Sequence, residues 1–255
     1  APMSVPFIPQ KLQQNGAELA DLPAYHAKEG GKWNTVTWGR YAQDVYQAAS
    51  AMIALGFEPR ANSCVLGFNK PEWTTFDLAT MTAGGAPAGI YTTNSPEEVA
   101  YIVQHSEAQL LLVEDENQWG KVADQLDQLS TLKKVILMRG AGPVDSDMCI
   151  TWDEFMALGR PSDDSEVDAR LSGLEADQLA TLIYTSGTTG PPKGVMLTHD
   201  NLSWTASEVT KVIELTPEDR ALIKEWIQQG AHWQRHWAFV PMQEKKAPLN
   251  IFGEH

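Results

Sequence analysis

Apolar residues after Thr37 recur at helical spacing: Tyr41, Val45, Ala48, Ala49, Met52 and Leu55 fall three or four positions apart. The pattern predicts an amphipathic helix capped by Thr37 and stopped at Gly56. A short apolar run at 64–68 follows, and Pro71 opens a second helix bearing Trp73, Phe76, Leu78 and Met81 and ending at Gly84 and Gly85. Residues 87–91 form another strand candidate. It leads to Ser95-Pro96-Glu97-Glu98, in which Ser95 is the cap, Pro96 the first helical residue and Glu98 the reciprocal capping-box partner of a helix running to about His105.

The alternation continues with an apolar run at 110–113, a helix around 118–129 and a strand at 135–138. Thr151 and Glu154 then give a second capping-box signature ahead of Trp152, Phe155, Met156 and Leu158. Residues 179–184 predict a strand and 202–213 a helix. Short apolar runs separated by helices imply parallel strands joined by crossovers, because a parallel pair cannot be closed by a tight turn. The chain therefore falls in the α/β class, as largely parallel sheets flanked by helices.

Three stretches lie outside this pattern. Residues 1–34 are periodic only weakly and contain Pro2, Pro6, Pro9, Pro23 and the Gly30-Gly31 pair, so they read as a lead-in with one short helix. Residues 160–178, with four Asp and two Glu, read as a solvent-exposed connection. Residues 220–255 form a tail whose structure the pattern does not specify.

Composition narrows the chemistry. The chain has 255 residues, 43% of them apolar, which suffices for one substantial core. Its net charge of -14 would repel a phosphate backbone, which argues against nucleic acid as a partner. No stretch is long and apolar enough to span a membrane, and the first thirty residues lack the features of a signal peptide. A cytoplasmic location is the expectation, with peripheral contact of one face to an intracellular membrane still compatible. Cys64 and Cys149 have no Cys or His at metal-ligand spacing, so buried, reduced thiols are expected.

The chemistry-bearing segment is Thr185-Ser186-Gly187-Thr188-Thr189-Gly190-Pro191-Pro192-Lys193-Gly194. Its glycines permit close backbone approach and left-handed torsions, so successive amide hydrogens can turn toward one anion. Ser186, Thr188 and Thr189 add hydroxyl donors and Lys193 a positive charge. The composition suits a polyphosphate, although a Gly/Thr-rich surface turn has the same residues. It is neither a Gly-Lys-Ser/Thr phosphate loop nor a dinucleotide-binding glycine pattern.

The twelve residues from Tyr184 to Val195 resemble the signature phosphate loop of the adenylate-forming superfamily, which contains acyl-CoA synthetases, luciferases and peptide-synthetase adenylation domains. Leu66-Gly67-Phe68-Asn69-Lys70-Pro71-Glu72-Trp73, Gly89-Ile90-Tyr91-Thr92-Thr93-Asn94-Ser95-Pro96-Glu97-Glu98 and Ser203-Trp204-Thr205-Ala206 look like the long-chain and bubblegum-type fatty acyl-CoA synthetases. The likeness covers about residues 30–219. It implies a partial AMP-binding N-terminal domain over 35–219, and activation of a long-chain fatty acid by ATP and magnesium (Mg2+). An acyl-adenylate forms first, and coenzyme A then takes the acyl group. Thr185, Ser186, Gly187, Thr188, Thr189, Gly190 and Lys193 would hold the β- and γ-phosphates, where fixed donors and cations meet developing charge.

His199 is expected at a helix entry, hydrogen-bonded locally, with Thr198 or Asp200 as the cap. His105 is expected at a helix end, and Trp73 and Trp204 in core packing. After Asp219 the resemblance stops. The family's Pro-Leu-Ser-His-like motif, its Tyr-Gly-x-Thr-Glu-like segment, its ribose-binding aspartate and its domain with the adenylation lysine have no counterpart here. Truncation, alternative processing or a shifted reading frame would each account for this. His232 and His236 lack the intervening acid and third ligand of a zinc motif, so no metal site is assigned. Two functional classes follow: a fatty acid–CoA ligase (AMP-forming), or a shortened, non-catalytic nucleotide-binding or interaction form. An incomplete core would also favour self-association.

Overall fold

The computed structural model describes residues 6–185, 190–212 and 216–229. The chain divides into two compact units, residues 1–208 and 209–255. The first opens with α1 (Ile8–Glu18) and a hairpin of β1 (Pro23–Glu29) and β2 (Lys32–Thr37). There follow α2 (Trp38–Ala54), β3 (Asn62–Leu66), α3 (Pro71–Thr82), β4 (Ala86–Ile90), α4 (Pro96–His105), β5 (Ala108–Val113), α5 (Glu116–Ala123) and β6 (Lys134–Leu137). The series continues with β7 (Cys149–Thr151), α6 (Trp152–Leu158), α7 (Ser165–Ser172), β8 (Leu179–Thr185), β9 (Lys193–Thr198) and α8 (His199–Val212), whose last turn enters the second unit. That unit contains α9 (Pro217–Gln228).

Apart from the β1–β2 hairpin, the described strands form a seven-stranded sheet in the order β7-β6-β5-β3-β4-β8-β9. Every pairing in this sheet is parallel except β8 with β9. Helices cover both faces, so the central strands bury both rows of side chains and read as unbroken apolar runs. In β5, Leu110 and Leu112 enter the core beneath α2, α3 and α6, while Leu111 and Val113 enter the core beneath α4 and α5. Each such side chain contributes about 1.5–3 kcal/mol of burial energy.

The helix entries are those expected. The Thr37 hydroxyl accepts from Arg40 N at the start of α2, and Gly56 ends that helix in the left-handed region at φ 81°. Reciprocal capping boxes of Ser95 with Glu98 and of Thr151 with Glu154 begin α4 and α6, each cap worth about 1 kcal/mol.

Several expectations are corrected. The lead-in carries, besides α1, the hairpin of β1 and β2. The connection at 160–178 contains α7, whose Val167 is buried, and Asp164 is tied to Ser50 and Tyr46. The helix expected over 118–129 ends at Ala123, and a single 3-10 turn, Leu126–Gln128, follows it. Of the two thiols expected to be buried, Cys64 in β3 is, whereas Cys149 in β7 is only half-buried. Residues 220–228, in the tail whose structure the pattern leaves unspecified, belong to α9, which is entered by a hydroxyl–carboxylate cap between Thr216 and Asp219. Ile213, His232 and His236 lie outside the described residues.

Candidate functional site

Connectivity concentrates open space at one end of the sheet. The chain passes from β3 to β4 on one side and returns across β3 to reach β5 on the other. The segments after β3 and β4 therefore leave toward opposite faces, α3 joining one core and α4 the other. Such a switch leaves a crevice beyond the carboxyl ends of the strands, where ligands bind in open α/β sheets. Here that crevice is a cavity of about 740 Å³ reached by Gly67–Asn69 after β3, Gly89–Thr92 at the end of β4, and Thr181–Tyr184 of β8.

Trp73, Asp77 and Met81 also line it. They stand at i, i+4 and i+8, which places them on one face of α3. Asp77 is the only acidic residue among the lining residues, and burial pushes its carboxyl up to about 7. No hydrogen bond or ion pair to it occurs among the described residues. The neighbouring Tyr41 phenol is raised by its own burial and, to a smaller extent, by the Asp77 charge. Sequence reasoning missed Asp77, although an acid within an apolar i, i+4 stripe was the signal available.

The cavity walls are fixed by polar ties. Glu114, just past β5, accepts the Phe68 N–H at 2.8 Å and pairs with the Lys70 ammonium at 3.1 Å. A side chain at Gly67 would come within 2.9 Å of both Glu114 Cβ and Met138 Cε, so the strand end runs hard against its neighbours. Lys121 donates to the Thr92 and Asn94 carbonyls at 2.6 and 2.9 Å, which holds the rim before α4.

The loop singled out by composition springs from the same place. β8 and β9 pair antiparallel with Thr185 opposite Lys193, Tyr184 opposite Gly194 and Ile183 opposite Val195, so the two strands form a stem that ends at Thr185 and Lys193, the first and last of the phosphate-binding candidates. Thr185 and Lys193 are both exposed, and no ion pair engages Lys193 among the described residues. Gly190 has φ 88° with nothing among the described residues within 4 Å of a would-be Cβ, so it is torsion that calls for glycine there. Ser186, Gly187, Thr188 and Thr189 lie outside the described residues.

Tyr184 sits at the root of this stem, 5% exposed, with its hydroxyl 2.8 Å from Nδ1 of His105 at the end of α4. Burial pushes its phenol up to about 12. His105 thus ends its helix as expected. His199 is the first residue of α8 and only 1% exposed, and the Thr198 and Asn201 side chains cap the backbone around it. The local hydrogen bond expected for its ring is absent: neither nitrogen has a partner among the described residues, and the Phe7 ring packs 5.2 Å away. Burial lowers its pKa. Trp73 packs against the core as expected, whereas Trp204 is 64% exposed.

Among the described residues no cluster of three His, Cys, Asp or Glu is placed to hold a metal ion, and no helix is long and apolar enough to cross a membrane. Residues 12–224 match the family model described as AMP-binding enzyme. The long-chain-fatty-acid–CoA ligase ACSBG2 of Xenopus laevis is 40% identical over 208 residues, which cover 82% of this chain and 28% of that protein. The human ACSBG2 ligase is 37% identical over 217 residues, 85% of this chain and 32% of the relative. The chain thus spans about a third or less of the length of these curated relatives. Among solved structures, the anthranilate CoA ligase AuaEII in complex with anthranoyl-AMP matches with a TM-score of 0.69 at 21% identity, over 79% of this chain and 36% of that one. A long-chain-fatty-acid–CoA ligase of Archaeoglobus fulgidus matches with a TM-score of 0.65 at 20% identity, over 81% and 39%.

Proposed function

The chain belongs to the AMP-binding enzyme family, and from that premise we propose that it serves ATP-dependent activation of a long-chain fatty acid to acyl-CoA through an acyl-adenylate. The observation that carries the reading is the stem of β8 and β9: residues 181–184 of β8 line the cavity at the sheet's switch point, and the pairing runs on to Thr185 opposite Lys193, the two ends of the segment. The curated relatives, long-chain-fatty-acid–CoA ligases, support the substrate class.

In this reading the segment from Thr185 to Lys193 holds the β- and γ-phosphates of ATP. Ser186, Gly187, Thr188, Thr189 and Gly190 supply hydroxyl and amide donors, and the Lys193 ammonium supplies charge. Magnesium arrives with the nucleotide as part of the substrate and shares the phosphate charge. The fatty-acid carboxylate attacks the α-phosphorus, pyrophosphate leaves, and the coenzyme A thiol then displaces AMP. Donors fixed before the reaction lower the barrier because they need no reorganisation as charge moves onto the leaving pyrophosphate.

A second reading is that this chain binds the nucleotide without completing the reaction. It asks only for the phosphate donors of the segment from Thr185 to Lys193 and assigns no residue of this chain to the transfer of the acyl group. One experiment separates the two. The chain is titrated with magnesium-ATP in a calorimeter, then incubated with palmitate, ATP and coenzyme A while AMP and thioester are followed. Thioester formation supports activation, saturable binding without AMP supports the second reading, and no binding removes both.

A further inference from the structure

We propose that Tyr184 is a positioning residue for the phosphate-holding segment, that it sets the stem of β8 and β9 against α4, and that His105 fixes it. The proposal rests on the reading of that segment given above. Its starting point is where the parallel ladder stops. β8 is registered to β4 through Leu182 opposite Ala88 and Ile183 opposite Gly89. Tyr184 and Thr185 lie beyond that register, and β9 follows β8 in the sheet order as its last strand. At the root of the stem, main-chain pairing to the parallel sheet has ended while the stem's own antiparallel pairing continues. Side chains must therefore set the direction in which the stem leaves.

Tyr184 is built for this. Its side chain is buried in the core shared by β4, β5 and α4. Its hydroxyl is 2.8 Å from His105 Nδ1, and the two rings meet edge to face with centroids 5.7 Å apart. His105 is held in turn by Tyr101 one turn earlier, stacked at 5.3 Å and 28°. Across the stem, Gly194 faces Tyr184, and a Cβ there would lie 3.3 Å from Tyr184 Cζ. The absence of a side chain at Gly194 lets the tyrosine ring lie against β9. One residue thus touches both strands of the stem and a third element, with Thr185 directly after it and Lys193 directly before Gly194.

The test uses the full chain with Tyr184→Phe, His105→Ala, His105→Gln and the double variant Tyr184→Phe/His105→Ala. Amide hydrogen exchange across residues 179–198 reports the stem, and calorimetry with magnesium-ATP reports the segment it carries. Tyr184→Phe keeps the ring and loses only the hydroxyl. It and His105→Ala should each speed exchange in the stem and weaken magnesium-ATP roughly fivefold to tenfold, the equivalent of one hydrogen bond. The double variant should be no worse than either single one, because the two groups act as a unit. His105→Gln, which keeps a hydrogen-bonding group, should recover most of the affinity, and exchange in β3 and β5 should not change. Unchanged stem exchange, additive single effects, or faster exchange spread evenly over the whole sheet would overturn the proposal. If the unaltered chain fails to bind magnesium-ATP, the phosphate-holding role is lost, and the stem exchange alone still decides whether Tyr184 and His105 position it.

Discussion

Glu114 ties two neighbours at once: its carboxylate accepts the Phe68 N–H and stands 3.1 Å from the ammonium of Lys70, so the end of β5 braces the segment that follows β3. The bracing fixes the backbone of Phe68, which lines the cavity. Replacing Glu114 with alanine removes the acceptor from a main-chain amide and leaves Lys70 unpaired. Glu114→Ala should cost about 1–2 kcal/mol of stability in denaturant titration. Amide exchange should speed at Phe68 and Asn69 and stay unchanged in β6.

Asp77 makes the stability depend on pH. Its carboxyl titrates near 3.8 when unfolded and is pushed up to about 7 by burial in the folded chain. Below pH 3.8 both states are protonated and the residue is neutral to folding. As pH rises toward 7, the unfolded state gives up its proton and the folded state keeps it, so stability falls across that window. Asp77 is half-buried beside an open cavity, which reduces the effect. Asp77→Asn should therefore raise stability at pH 8 by about 1–3 kcal/mol and leave it nearly unchanged at pH 4. Equal gains at both pH values would show that the carboxyl's charge is not the cause.

His199 acts in the opposite direction. Its folded pKa lies below the ordinary 6.5 because the ring is buried without a partner for either nitrogen. As pH falls below 6.5 the unfolded state takes up a proton that the folded state refuses, and stability declines until the folded pKa is passed. Removing the ring should remove this decline. His199→Leu should stabilise the chain by about 1 kcal/mol at neutral pH, since no buried polar atom is left unpaired, and should flatten the melting temperature between pH 7 and 5. A variant that still loses stability over that interval in step with the unaltered chain would assign the sensitivity elsewhere.

What the sequence disclosed, and what it hid, follow from the range of the interactions concerned. The entries of α2, α4 and α6 are written within four residues each, as Thr37, Ser95 with Glu98, and Thr151 with Glu154. The central strands announce themselves because both faces are buried. β1 and β2 do not, since β2 is exposed over Lys32–Thr35 and shows no alternation. β9 escapes for a similar reason, with Val195 and Met196 both exposed. α7 buries Val167 among polar residues, too small a stripe to register. At the site, the glycine- and threonine-rich segment is local and legible. The contact of His105 with Tyr184 spans 79 positions, and only folding brings it together. The same holds for the ionisation of Asp77, which depends on a cavity assembled from β4, β8, α3, α8 and the segment after β3.

Lys193 provides the most direct measure of the phosphate-holding role. It is exposed at the start of β9, opposite Thr185, and no carboxylate among the described residues pairs with it. An ammonium so placed has its charge available to an incoming anion, and its exposure makes the attraction sensitive to salt. Lys193→Met keeps the aliphatic stem and removes the charge. It should weaken magnesium-ATP about tenfold at low ionic strength, with a smaller ratio as salt is raised, while the thermal midpoint stays where it was because no ion pair among the described residues uses the ammonium. Adenosine without phosphates provides the control: its binding, at whatever strength, should be the same for both proteins. An unchanged ATP affinity would show that the charge at this position does not meet the nucleotide.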